Sequence, residues 1–117
     1  MAQIELTLEE LNMVSNNNLN GAIKMAKWTK RAVNGKKLSV INSVHLSMIA
    51  GRITEMIWDN DCYVYGNTNH WGDGVTVNFT DAEQSHLQYS ITIYPEYEVE
   101  LEIMDKQTNK YIYSVEY

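Results

Sequence analysis

Three histidines (His45, His70 and His86) and a single cysteine, Cys62, are the side chains of this 117-residue chain best suited to metal binding or nucleophilic chemistry. Their spacing supports neither. No two histidines stand at the helical spacing that puts two ligands on one face, and one cysteine cannot build a multi-cysteine zinc site. Asp59-Asn60-Asp61 opens like a calcium loop, but Tyr63 and Val64 follow where further oxygen ligands belong. Cys62 makes a nucleophile–base pair with His70 or His86 only if the fold joins them, and free cysteines are more often packing residues. Gly72-Asp73-Gly74 lacks the length, the lysine and the strand-to-helix setting of a phosphate cradle. The expectation is a chain with no metal, no cofactor and no catalytic set.

The charged residues carry more pattern. Glu96, Glu98, Glu100 and Glu102 alternate with Tyr97, Val99, Leu101 and Ile103, which puts four carboxylates on one face of a predicted strand. Such a row keeps an open sheet face soluble and discourages edge pairing. A solvated face usually interleaves lysine with glutamate, because like charges across strands repel. Here the residues on the neighbouring strands are Ser90, Thr92 and Tyr94, or Ile112, Ser114 and Glu116, and none is a lysine. The row therefore suits a basic surface.

A second patch has the opposite sign. Lys24, Lys27, Lys30, Arg31, Lys36 and Lys37 fall in a stretch with no acidic residue. On a helical wheel Lys24, Lys27 and Arg31 share one face and Lys30 flanks it, while Met25 and Trp28 lie off the apolar stripe. This is a modest site for phosphate or an acidic partner, or else a solvated face whose cations suit a helix C-terminus. The third candidate is His70-Trp71, placed in a predicted polar loop from Gly66 to Gly74. An indole there either anchors a partner or folds back over the sheet edge.

Size and composition bound the rest. At 44% apolar and 21% charged, the chain has enough apolar material for one core and one domain, residues 1–117. The net charge of −6 argues against duplex nucleic-acid binding. From Asp81 to Tyr117 eight acidic residues face only Lys106 and Lys110, so the molecule should carry a positive and a negative end. One cysteine fits a reducing compartment. The N-terminus lacks the basic and apolar regions of a signal peptide, and no apolar run approaches the roughly 20 residues that span a bilayer. A cytoplasmic protein is expected.

The elements that must position these residues follow from punctuation and period. Thr7-Leu8-Glu9-Glu10 is a capping box, and the helix it opens meets Asn16-Asn17-Asn18 and Gly21, poor helix-interior residues. The spacing predicts a kinked helix or two short ones, ending at Asn34-Gly35. Ser39 or Ser43 caps another helix to about Trp58, apolar around most of its circumference and so expected to be central. Cys62 to Tyr65 opens a series of strands, followed by alternating runs at Val75–Thr80, Leu87–Tyr94, Tyr97–Ile103 and Tyr111–Tyr117. Consecutive strands with short connections indicate an antiparallel meander, with helices on one face and solvent on the other. The fold class is α+β: two or three N-terminal helices (1–58) on a four- to five-stranded sheet (59–117). Tyr111, Tyr113 and Tyr117 close the chain in an edge strand that suits pairing with a second copy.

In its acidity and its richness in Asn, Ile and Tyr, the chain resembles small phage or mobile-element proteins that bind and block a host factor. That resemblance implies a non-enzymatic inhibitor whose acidic sheet face docks on a basic, nucleic-acid-handling host protein, such as a defence nuclease, with the carboxylates standing in for phosphates. A small regulatory or structural subunit that uses the basic helix 24–37 on nucleic acid or a partner is the alternative. A small Cys/His enzyme is the third reading.

Overall fold

The computed structural model describes residues 16–35, 43–96 and 98–117. The capping box at Thr7, together with Lys36, Lys37 and Tyr97, lies outside them. Two helices, α1 (Asn16–Gly35) and α2 (Ser43–Trp58), precede five strands: β1 (Tyr63–Trp71), β2 (Gly74–Asp81), β3 (Leu87–Ile93), β4 (Val99–Asp105) and β5 (Lys110–Glu116). All strand pairs are antiparallel and the order is β1-β2-β3-β4-β5, a meander whose edges are β1 and β5. This is the α+β arrangement that the sequence predicts.

Both helices contact each other and one face of the sheet, α2 over β1 and β2 and α1 over β4. From α2, Leu46, Ile49, Ala50, Ile53 and Ile57 are buried, the spacing of one helical stripe. Leu19, Ala22, Met25, Ala26 and Val33 do the same for α1. They meet apolar rows that run across three strands, Val77–Ile91–Leu101 and Phe79–Tyr89–Ile103. Tyr63 fits between helix and sheet, edge-on to Phe79 at 5.1 Å. Its hydroxyl donates to the Asn18 carbonyl, and the Asn18 side chain donates to buried Asp81 at 2.6 Å.

Four local readings are corrected. α1 starts at Asn16 and runs unbroken through Gly21, where a Cβ would stand 2.5 Å from the Tyr63 hydroxyl; the stretch before Asn16 lies outside the described residues. Met25 belongs to the core rather than off the stripe. α2 is not central, since Val44, Met48 and Trp58 are more than 60% exposed while its other face is buried. The segment from Gly66 is no loop. β1 continues through it to Trp71, with Gly66 at a bulge and only Gly72-Asp73 left as the turn. Gly72 takes a φ of 46°, the left-handed position that primed two-residue turns place first. Most side chains from Gly66 to Trp71 are exposed, so no apolar alternation marks that part of the strand.

Candidate partner-binding face

The face of the sheet turned away from the helices is built in polar rows. Thr76, Thr92, Glu100 and Glu116 pair in sequence across β2 to β5, and Asn78, Ser90, Glu102 and Ser114 form the next row. On the β1–β3 side the rows are neutral and hydrogen-bonded. Ser90 donates to Asn78 Oδ1 at 2.6 Å, and the Asn78 amide donates to Asn67 Oδ1 at 2.8 Å. On the β4–β5 side they are acidic. No lysine or arginine stands across from either glutamate: Glu100 pairs with Thr92 and Glu116, Glu102 with Ser90 and Ser114.

Of the four glutamates of the predicted ladder, only Glu100 and Glu102 lie within β4, which starts at Val99 rather than Tyr97. Glu96 and Glu98 are exposed in the connection before it. Glu98 is held there by its carbonyl, which accepts the Tyr94 backbone N–H at 2.8 Å. The expectation that this face is simply solvated is also corrected. Glu100 is 1% exposed, and Thr92 and Ser114 beside it are buried. On the same face the Tyr94 hydroxyl donates to Glu100 Oε1 at 2.9 Å. Burial, followed by that bond to Glu100, pushes the Tyr94 hydroxyl well above its ordinary titration range.

Glu100 Oε2 meets no donor. The group beside it is the Glu102 carboxyl, an acceptor when ionised. Burial pushes Glu102 up to about 7, helped by the negative charge of Glu100 and by hydrogen bonding to it. A proton on Glu102 makes it a donor, and this is how two adjacent carboxyls share one site without full repulsion.

Trp71 joins the same constellation. Its indole lies over Gly74, where a Cβ would sit 2.7 Å from the ring carbons. Indole Nε1 donates to Thr76 Oγ1 at 2.9 Å, Thr76 meets Thr92 at 3.1 Å, and the Trp71 and Tyr94 rings stand edge to face at 5.7 Å. The fold therefore brings Trp71, Glu100 and Glu102 together through Tyr94, a residue absent from the candidates that the sequence suggests. Alternation along β3 places Tyr94 in phase with Ser90 and Thr92, so its face was legible. That its hydroxyl caps Glu100 was not. Trp71 has folded back over the sheet and keeps 39% of its surface exposed. His70 is exposed one register position away, paired with Val75, and so on the opposite side of the strand.

The basic residues form a separate surface. Lys24, Lys27 and Arg31 are exposed on α1 and line a shallow hollow with Met25, Trp28 and Met56, while Lys30 is partly buried. Cys62 Sγ accepts from the Asn17 amide at 3.7 Å; His70 lies at the far end of β1 and His86 just before β3. Among the described residues, no cluster of His, Cys, Asp or Glu has the arrangement to hold a metal ion, and no helix is long and apolar enough to cross a membrane. No family model, curated protein or solved structure matches the chain.

Proposed function

We propose that the protein is a non-enzymatic binding protein whose acidic outer sheet face docks on the basic surface of another protein. The observation that carries this reading is the run of carboxylates at the β4–β5 end of the sheet. Among the described residues, no cation stands across from Glu100 or Glu102 on β3 or β5, and Glu96 and Glu98 are exposed in the connection before β4. Repulsion of this kind lowers the stability of the isolated chain, and such tension is tolerated where a partner relieves it. Trp71 and Tyr94 supply an aromatic margin of the type enriched at interface hot spots.

A partner that handles nucleic acid is the fitting target, because its surface is already built to receive a spaced row of negative charges. The protein would then act as a blocking protein of the phage or mobile-element kind, its carboxylates taking the place of phosphates on a host factor such as a defence nuclease. The test is comparative capture from host lysate on immobilised parent and on a Glu96→Lys/Glu98→Lys/Glu102→Lys variant, with mass spectrometry of what is retained. A basic protein held by the parent and lost by the variant supports the reading. Identical retention on both refutes it.

A second reading rests on the hollow beside Trp28, where Lys24, Lys27 and Arg31 surround apolar surface. There the chain would be a small regulatory subunit that meets nucleic acid or an acidic partner through α1. A gel-shift titration separates the two, because only the second predicts salt-sensitive nucleic-acid binding by the isolated protein.

A further inference from the structure

We propose that the chain's own acidic segment, residues 1–15, seats on the hollow between α1 and α2 and covers the basic face of α1. The inference goes beyond the acidic docking face and stands independently of it.

The hollow has an apolar floor between cationic banks. Trp28 and Ala32 of α1 and Met48 and Met56 of α2 form the floor, each pair on one face of its helix. Lys24, Lys27 and Arg31 stand on the α1 bank and Arg52 on the α2 bank. Arg52 also meets Glu55 at 3.3 Å, an exposed pair, and Glu55 and Asp59 line the end beside Met56. Met48 and its neighbour Val44 are more than 60% exposed, an apolar surface that the described residues leave open.

An acidic amphipathic element fits such a surface, and the chain carries one. Residues 1–15 hold Glu5, Glu9 and Glu10 and no lysine or arginine. The capping box Thr7–Glu10 favours a helix from Leu8, on which Leu8, Leu11 and Val14 make one stripe with Glu9 and Glu10 on its two sides. The stripe suits the floor, and the flanking carboxylates suit the banks.

The length is sufficient. α1 begins at Asn16, so Trp28 lies about 18 Å along it at 1.5 Å per residue. Folding back from Ser15, a residue type favoured as an N-cap, a helix from Leu8 spans about 10 Å and extended residues 2–7 about 20 Å more. A second copy offering its acidic sheet end would instead join two different surfaces, a contact that propagates from chain to chain rather than closing. A segment tethered at Asn16 competes with it at an effective concentration on the order of millimolar. Seated there, the segment neutralises the basic face, and an acidic partner or nucleic acid has to displace it to reach Lys24, Lys27 and Arg31.

The test is zero-length carbodiimide cross-linking, which joins a carboxyl to an amine in contact with it, on an equal mixture of unlabelled and nitrogen-15-labelled full chains. Mass spectrometry should find Glu9 or Glu10 joined to Lys24 or Lys27 within chains of one isotope, at a yield that dilution leaves unchanged. Leu8→Asp/Leu11→Asp keeps the tether and the carboxylates but spoils the stripe, and Met48→Asp spoils the floor at an exposed position remote from the tether. Each should lower the yield several-fold while far-UV circular dichroism shows the sheet and helices retained. A yield unchanged in either variant overturns the proposal, since proximity along the chain would then account for the link. Links that join the two isotopes overturn it in favour of a second copy, and the absence of any link overturns it outright. None of these results bears on the acidic sheet face, which the charge-reversal variant tests separately.

Discussion

The Tyr94 hydroxyl donates to Glu100 Oε1 at 2.9 Å, tying the connection before β4 to a carboxylate that is otherwise closed off on the outer face of the sheet. Oε2 has the Glu102 carboxyl beside it, so the Tyr94 hydroxyl is the donor that reaches this carboxylate from outside the acidic pair. Tyr94→Phe removes it and leaves the ring in place. The expected loss is about 1–3 kcal/mol, the usual penalty for a buried acceptor left unpaired. Urea unfolding of parent and variant measures it. A loss below about 0.5 kcal/mol would mean that solvent already reaches Glu100.

Stability should fall across the neutral range because of Glu102. Its carboxyl titrates about 7 in the fold against 4.5 for an unperturbed side chain. Between those values the folded chain binds a proton that the unfolded chain has already released, so stability is lost as the pH rises from about 4.5 through about 7. Glu102→Gln removes that loss. Allowing for screening of a partly exposed side chain, the variant should exceed the parent by about 1–2 kcal/mol at pH 8 and differ little at pH 4. Thermal melts at the two pH values decide it, and an equal gain at both would detach the effect from ionisation.

The same substitution should have opposite signs on the two helices. Nothing stands within 4 Å of a Cβ built on exposed Gly51 of α2, so Gly51→Ala should stabilise by about 0.5–1 kcal/mol through helix propensity. At Gly21 of α1 the new Cβ meets the Tyr63 hydroxyl, which cannot withdraw without breaking its bond to the Asn18 carbonyl. Gly21→Ala should therefore destabilise by about 1–3 kcal/mol, as overpacking does. Denaturant midpoints for the two variants check the pair.

Gly74→Ala keeps the Trp71 indole but denies it its seat, since the added carbon would lie 2.7 Å from the ring and 2.8 Å from the Ile93 carbonyl. Trp71→Ala removes the indole altogether. If the ring works from its place over Gly74, both substitutions should speed partner dissociation and leave association nearly unchanged, as for an apolar anchor. Dissociation rates from surface-bound partner provide the check. A slower association with unaltered dissociation would instead assign Trp71 no anchoring part.

The parts of the fold that alternate between core and water were legible in the sequence. Val75, Val77 and Phe79, or Leu87 to Ile93, bury one face against the helices, and period-two patterning follows from that. Gly66 to Trp71 gave no such signal because most of its side chains meet water, so strand looked like loop. α2 looked central because its apolar residues exceed one stripe, yet Val44 and Met48 remain exposed. Gly21 looked like a break because propensity says nothing about a tyrosine 42 positions further on, seated against the helix. At the candidate site the acidic row and the absence of facing lysines were visible as residue types. The burial of Glu100 and its bond from the Tyr94 hydroxyl were not, because alternation along a strand says which face a residue takes and not what lies over it.

The central claim is that the acidic end of the outer face is what a basic partner binds. The most direct measurement is the association rate of the captured partner with parent and with Glu96→Lys/Glu98→Lys/Glu102→Lys across a range of salt concentrations. Glu100 is kept in the variant, because a lysine in its buried place would test folding rather than binding, whereas the Glu102→Lys change sets a cation beside it. The account predicts a parent rate that falls steeply as salt rises, since steering by a charged face is screened over roughly 10 Å at 0.1 M. It also predicts a reversed variant that folds and fails to bind. A variant that associates as fast as the parent, with the same salt dependence, would contradict it and move attention to Lys27 and Arg31 on α1.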